Sequence, residues 1–285
     1  MLADFVRLAR PKHWIKNVFV FLPVPFALAA GAKIDVVPFL LGLASFCLAS
    51  SAVYAFNDAQ DAERDRAHEE KRLRPIAAGR ISRGAAYVFS TVVGSLALLA
   101  AFASGRPPAV TLVSLYVAIN LFYSLGAKHL PLLDVFLLSS LYMLRVILGC
   151  ELLDVHASNW LLVCSSALAL FLSLAKRRAE FASGMDTNHR PALQGYNQAF
   201  LDQAMGISAS VTVVAYAMYS MEAPVLVPGR QFAALPFVVF GVLDYLRMAH
   251  VSHEGGSPVD ALLRSPTLLL SGAGWVAATL WSLQW

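Results

Sequence analysis

Charge is scarce in this chain. Asp, Glu, Lys and Arg make up 14% of its 285 residues, against about a quarter in soluble domains. With 58% of residues hydrophobic, that shortage argues against a water-soluble domain and for a membrane protein. Cysteine is equally sparse. Cys47, Cys150 and Cys164 lie in or at the ends of apolar runs with no CxxC spacing, which excludes a disulfide framework or a cysteine zinc site and leaves small core residues. No two histidines stand four apart with a glutamate between them, so a zinc-hydrolase helix is absent; His250 and His253, three apart, read as interfacial residues. Nor do the basic groups alternate with an exposed aromatic platform, so nucleic acid is not expected as a partner.

What is abundant is uncharged apolar sequence. Runs at 36–56, 84–105, 107–127, 157–175, 203–221 and 266–284 each approach the ~20 residues that a helix needs to cross about 30 Å of hydrocarbon. Three further segments are less clean: 18–32 contains Pro23 and Pro25, 134–150 carries Arg145, and 231–248 ends with Asp244 and Arg247. Together they predict an all-α, polytopic membrane bundle of about nine helices, one integral membrane domain over residues 1–285. The basic leader and the run ending "ALAAGA" also resemble a cleaved signal peptide, although prolines suit a kinked helix packed among others. Nine spans put the termini on opposite sides. With the N-terminus in the cytoplasm, only Lys33, Arg106 and Arg230 of the 22 lysines and arginines fall outside, and Arg145 lies within a span. The positive-inside rule therefore places the N-terminus and the charged loops in the cytoplasm. Several of the five tryptophans lie near span ends, as interfacial anchors do.

One cytoplasmic stretch gathers many of the charges: "NDAQDAERDRAHEEKRLRPIAAGRIS", residues 57–82. Asp58, Asp61 and Asp65 stand at i, i+3 and i+7, so a helix continuing from the second span would present all three on one face, with Asn57 beside them. Such carboxylates repel unless a cation sits among them, and oxygen ligands suit Mg²⁺, which shares its shell with phosphate oxygens. A diphosphate ligand is the consequence. Lys71, Arg72 and Arg74 supply complementary charge before a turn at Pro75 and Gly79, and guanidinium forks match phosphate oxygens. A solvated loop whose acids balance its bases is the plain alternative.

Other loops repeat the theme. "RPKHWIKN" brings Lys16 and Asn17 to the mouth of the first span, and "NLFYSLGAKHLPLLD" brings Tyr123 and Lys128 to the end of the fourth. "LAKRRAEF" closes the sixth with Lys176, Arg177 and Arg178, and Arg190 comes a little later. Cations at helix C-termini are also ordinary dipole partners, so the joint presence of these groups on one face carries the argument. Arg145 is different. An arginine inside a span faces the bundle interior, as an anion ligand or in an ion pair for which Asp134 and Asp244 are candidates.

At these residues the chain resembles the UbiA superfamily of membrane prenyltransferases. "NDAQDAERD" matches the family's NDxxDxxxD motif at Asn57, Asp58, Asp61 and Asp65. The resemblance implies a nine-span helical enzyme that binds Mg²⁺-diphosphate through these residues. Most members carry a second DxxxD motif after the sixth span, where this chain reads "KRRAEFASGMD". That departure, with "RPKHWIKN", "YSLGAKHLPLLDVFLLSSLYMLRVILG", "RPAL" with Tyr196 after it, and "FLDQ", resembles the decaprenyl-phosphate phosphoribosyltransferase branch. His68 and then Glu69 depart from that branch's usual His-Pro.

The branch implies Mg²⁺-dependent transfer of 5-phosphoribose from phosphoribosyl pyrophosphate to a polyprenyl phosphate, for cell-envelope pentose or arabinan precursor synthesis. Its active-site loops would be 57–83, 127–134 and 176–203. Asp58, Asp61 and Asp65, with Asn57, would hold the metal. The phosphates would fall to Lys16, Asn17, Lys71, Arg72, Arg74, Tyr123, Lys128, Arg145, Lys176, Arg177, Arg178 and Arg190. Three phosphate sites need more cations than the single polyanion site of a prenyl diphosphate, and the basic 176–178 cluster supplies them. An aromatic prenyltransferase of the same superfamily remains the first alternative. A lipid or anion transporter is the second, although it predicts polar or broken helices near midplane. The resemblance leaves room for a homo-oligomer, and no sequence device fixes a number.

Overall fold

The structure is a computed structural model that describes residues 2–67, 71–183, 191–252 and 264–284. The long helices arise from apolar stretches bounded by turn or cap chemistry. The α-helices are α1 (Leu2–Ala9), α2 (Val24–Ala29), α3 (Val36–Gln60), α4 (Ala62–Arg66), α5 (Arg83–Ala103), α6 (Pro107–Leu125), α7 (Leu133–Leu152), α8 (Asn159–Ala182), α9 (Gln198–Glu222), α10 (Leu235–Arg247) and α11 (Pro266–Ser282). Among the described residues no strand forms, and a single isolated bridge pairs Leu226 with Leu283.

Polar residues start the long helices where the apolar runs begin. Ser82, Ser158, Asn197 and Ser265 each accept a hydrogen bond from a backbone N–H in the first turn, from Ala85, Leu161, Phe200 and Leu268 respectively, satisfying donors that the helix itself leaves free. Pro107 opens α6 at a position that needs no N–H donor. Gly105, at φ 67°, makes the reversal between α5 and α6 that a side chain would resist.

Six of these helices, α3 and α5 to α9, are long and apolar enough to cross a membrane. The nine segments expected from sequence are all helical, but three fall short by length. The first is broken by its prolines: residues Pro11–Phe21 wind as a 3₁₀ helix, and only Val24–Ala29 is α-helical. A 3₁₀ helix rises about 2 Å per residue and so reaches further than an α-helix of equal length. α10 has 13 residues and passes into a π turn at Met248–Ser252, and α11 has 17.

Within what the sequence reads as one membrane domain, the chain packs as two compact units. The first comprises Met1–Val24, Lys33–Ala127 and Leu144–His156, the second Pro25–Ala32, Lys128–Met143 and Ala157–Trp285. In the first, α3 and α5 lie close because small residues line both: Ala49, Ala52, Ala55 and Ala59 on α3, and Ala86, Ala97 and Ala101 on α5. Small side chains let backbones approach where lipid offers no hydrophobic drive. Ser90 Oγ donates across this contact to the Ala52 carbonyl at 2.8 Å. The outer face of α5 leaves Val88, Leu99 and Phe102 exposed, as hydrocarbon permits and water would not. In the second unit α8 and α9 pack around Phe171, Leu174, Leu201 and Met205, with Tyr245 of α10 edge-on to Phe171 at 5.4 Å.

Gly149 of α7 is held against the 3₁₀ segment. A Cβ there would stand 2.2 Å from the Val20 carbonyl oxygen, and backbone cannot step aside as a side chain end can. Gly149→Ala is therefore expected to destabilise the protein by about 1–3 kcal/mol, read as a lower Tm in detergent; an unchanged Tm would show that the segment is free to shift.

Candidate functional site

The charged stretch begins before the membrane helix ends. Asp58 lies in the last turns of α3, 2% exposed. Asp61 then leaves the helix at φ −88°, ψ 3°, and α4 restarts at Ala62, which is fully buried and carries Asp65 back into the fold. The helix is interrupted at Asp61, yet Asp58 and Asp65 still converge as a pair, as their spacing predicts, both within reach of one Arg74 nitrogen. Among the described residues no three His, Cys, Asp or Glu side chains converge as a metal cage.

Arginines bind that pair. Arg74 Nη1 donates to Asp58 Oδ1 at 3.0 Å and to Asp65 Oδ2 at 2.7 Å. Arg10 Nη2 donates to both oxygens of Asp58, at 2.5 and 2.7 Å, with its guanidinium over the Tyr54 ring at 5.1 Å. Burial raises the Asp65 carboxyl above its ordinary pKa; the Arg74 guanidinium opposes the shift and the Asp58 charge adds to it. One cationic nitrogen bridging two buried carboxylates marks a place where a cation is required. Two carboxylates fit Mg²⁺, which is held by one or two such groups together with water and phosphate oxygens.

Around the pair, Asn57 Oδ1 accepts from Ser124 Oγ at 3.0 Å. Lys71 opens a short 3₁₀ turn with exposed Arg72. After Arg74 the chain folds tightly, as Pro75 and Gly79 suggest: the Arg80 and Ile81 N–H groups both donate to the Pro75 carbonyl, and Gly79 has φ 75°. Lys16 and Tyr123 of the same unit are half-buried. Lys128, which belongs to the second unit, is half-buried in the 3₁₀ turn Ala127–His129.

Arg145 faces the interior, as expected, at 3% exposure. Its Nε donates to Asn17 Oδ1 at 2.8 Å and its Nη2 to Tyr116 Oη at 3.1 Å. The Tyr116 and Phe46 rings flank its guanidinium at 4.9 and 5.9 Å. Two residues singled out separately in the sequence, Asn17 and Arg145, thus meet. The carboxylates considered for Arg145 are engaged with other groups: Asp244 with Arg247 and Thr267, and Asp134 with Arg177 and Tyr196.

In the second unit the basic end of α8 is largely internal. Arg177 and Asp134 are both fully buried, with Nε and Oδ2 in ion-pair contact at 3.0 Å but not aligned as a hydrogen bond. Arg177 also pairs with Glu180. Tyr196 Oη donates to Asp134 Oδ1 at 2.7 Å and accepts from the Leu132 N–H at 2.6 Å. Burial and the bond to Asp134 push the Tyr196 phenol upward, which keeps it a donor. Arg178 Nε donates to Asp202 Oδ1 and its Nη1 to the Ala249 carbonyl, both at 2.5 Å; His250 Nε2 lies 3.1 Å from the same Asp202 oxygen. Lys176 is half-buried beside them. Arg190, His68, Glu69 and His253 lie outside the described residues.

Sequence reasoning passed over Arg10, Asp202 and the Asp134–Tyr196 contact. Arg10 opens the "RPKHWIKN" stretch, yet 48 residues separate it from Asp58, and no local spacing links them. Removing one partner of a buried pair strands the other. Arg177→Met is accordingly expected to cost about 3–5 kcal/mol, and Arg177→Met with Asp134→Leu to recover much of it; a double variant no more stable than the single one would refute the pairing.

The UbiA prenyltransferase family matches the sequence over residues 17–253. A decaprenyl-phosphate phosphoribosyltransferase of Corynebacterium glutamicum is 32% identical over 96% of this chain and 85% of its own length. One of Mycobacterium tuberculosis is 33% identical over 97% of this chain and 93% of its own. The solved structure of a UbiA homologue from Archaeoglobus fulgidus bound to GPP and Mg²⁺ superposes with a TM-score of 0.74 at 18% identity, covering 97% of this chain and 96% of that one. Six apolar helices of spanning length and the match across most of its sequence make this chain an integral membrane protein that belongs to the UbiA prenyltransferase family.

Proposed function

We propose that the protein transfers 5-phosphoribose from phosphoribosyl pyrophosphate to a polyprenyl phosphate and releases diphosphate. The observation that carries this reading is the similarity, over nearly the whole chain, to relatives named decaprenyl-phosphate phosphoribosyltransferase. The charge distribution supports it. The chain has one acidic motif, and the position where a second would stand is basic, Lys176 to Arg178.

In this reading Asp58 and Asp65, with Asp61 and Asn57 near them, hold Mg²⁺ with the donor's diphosphate. The bound cation would lower the cost of charge gathering on the departing diphosphate. Arg74, Lys71 and Arg72 grip phosphate oxygens, the guanidinium planes two at a time. The bond from the anomeric carbon to the diphosphate oxygen breaks as an oxygen of the lipid phosphate bonds to the opposite face, which inverts the centre. A phosphate monoester is nucleophilic enough to need no general base, and carboxylates near the sugar stabilise its positive charge. Lys16, Asn17, Tyr123, Lys128, Arg145, Lys176 and Arg190 share the remaining phosphates. Arg177 and Arg178 take part through the acids that they hold, Asp134 and Asp202, which fixes the end of α8 around Lys176. The product would feed pentose transfer into the cell envelope.

The sidedness of the basic residues supports a cytoplasmic N-terminus and active site. The native cysteines lie in α3, α7 and α8, so single new ones report topology. In whole cells Lys33→Cys should react with a membrane-impermeant maleimide and Glu63→Cys should not; the opposite pattern would reverse the orientation.

The activity is tested with purified protein in lipid, labelled phosphoribosyl pyrophosphate, polyprenyl phosphate and Mg²⁺. Ribose phosphate should reach the lipid fraction, the transfer should stop on chelation, and Asp58→Asn should lower it by about a hundredfold or more. Consumption of a prenyl diphosphate with an aromatic acceptor, and no ribose transfer, would make the protein an aromatic prenyltransferase instead.

A further inference from the structure

Arg10 holds Asp58 in a manner that packing does not require. It occupies the cap position before the 3₁₀ helix Pro11–Phe21 in a left-handed conformation, φ 51°, ψ 56°, with no side-chain cap bond. For a residue with a Cβ this conformation costs about 1–2 kcal/mol. What opposes that cost is at the far end of the side chain: one nitrogen against both oxygens of Asp58, and a guanidinium over Tyr54.

The exposure of the partners is unequal. The Arg10 side chain keeps 18% of its surface and that of Arg74 27%, while Asp58 keeps 3%. Arg177 and Asp134 differ, with 0% on each side. On Asp58 the carboxylate is fixed and the cations retain a way out to water.

We propose that Arg10 is a stand-in cation. In the metal-free protein Arg10 and Arg74 neutralise Asp58 and Asp65. A divalent cation arriving with a diphosphate takes over the carboxylates and releases Arg10 to the phosphate oxygens of the same ligand. The inference rests on reading the acid pair as a metal-diphosphate site. Its physical basis is that a buried carboxylate left without a cation is costly by several kcal/mol, so one positive group must replace another rather than leave a gap. Asp58 cannot offer both oxygens to Arg10 and to a metal at once, and the two therefore compete. The displaced guanidinium carries five N–H donors in the geometry that phosphate favours, so the exchange turns a lock on the empty site into a ligand of the filled one.

The test uses Mn²⁺ alone, titrated by electron paramagnetic resonance against the purified full chain in detergent, with no donor or acceptor. If the Arg10-bound form makes up about nine-tenths of the metal-free protein, its removal raises the apparent affinity about tenfold. Arg10→Gln should bind Mn²⁺ more tightly by that factor, Arg10→Lys should fall between it and the wild type, and inorganic diphosphate should strengthen Mn²⁺ binding more in the wild type than in Arg10→Gln. A folded Arg10→Gln variant with unchanged or weaker Mn²⁺ binding would overturn the proposal. Should that variant not fold, hydrogen exchange of residues 10–17 in the wild type decides: altered protection on adding Mg²⁺ and inorganic diphosphate supports displacement, and unaltered protection rejects it. None of these readouts involves ribose transfer, so failure of the proposed activity would leave the exchange result standing, and the reverse.

Discussion

A charge withdrawn from water must keep an opposite charge beside it. Asp58 meets that requirement with Arg10 and Arg74, Asp65 with Arg74, Asp134 with Arg177, and the buried Arg178 with Asp202. Because an unmatched charge costs several kcal/mol in such surroundings, each pairing fixes the helix ends that bring it together. The end of α3 is tied to the segment before Pro11 and to the turn before Pro75; the start of α7 is tied to the end of α8 and, through Tyr196, to the Pro191–Gly195 turn. The pairs differ in exposure: Arg177 and Asp134 are both fully buried, whereas Arg10 and Arg74 keep part of their surface beside a buried Asp58.

Much of this was legible in the sequence because lipid imposes a simple rule. Twenty apolar residues in a row favour a helix in lipid, and the runs beginning at residues 36, 84, 107 and 157 became α3, α5, α6 and α8, with α8 running on seven residues past its apolar run to Ala182. The inward direction of Arg145 came from the same rule, since its charge had nowhere else to go. The first segment did not obey it. Pro11, Pro23 and Pro25 disrupt the α-pattern, and only the three-dimensional packing decides that the chain takes a 3₁₀ course there.

The charged stretch was visible as chemistry and only in part as geometry. Periodicity assumes an unbroken helix; here α3 stops at Gln60 and a second short helix, Ala62–Arg66, carries Asp65, which still meets Asp58 at Arg74. Long-range partners left no mark on spacing. Nothing local in the sequence couples Arg10 to Asp58, and nothing in "LAKRRAEF" says that its two arginines turn inward to Asp134 and Asp202 while Lys176 remains half-exposed. The fold is shared at 18% identity with a homologue solved with GPP and Mg²⁺ bound, and a shared fold does not by itself fix the chemistry.

The length of α3 has a mechanical meaning. At ~1.5 Å of rise per residue Asp58 stands about 33 Å from the start of the helix, slightly more than the ~30 Å of hydrocarbon in a bilayer. A helix of this length that crosses the bilayer thus brings Asp58, the carboxylate proposed to hold the metal, to the edge of the apolar layer, where hydrated ions can reach a buried acid. Bilayer thickness then sets the surroundings of Asp58: a thicker membrane draws the aspartate into a drier medium or tilts its helix, and a thinner one wets it, with no change in any residue.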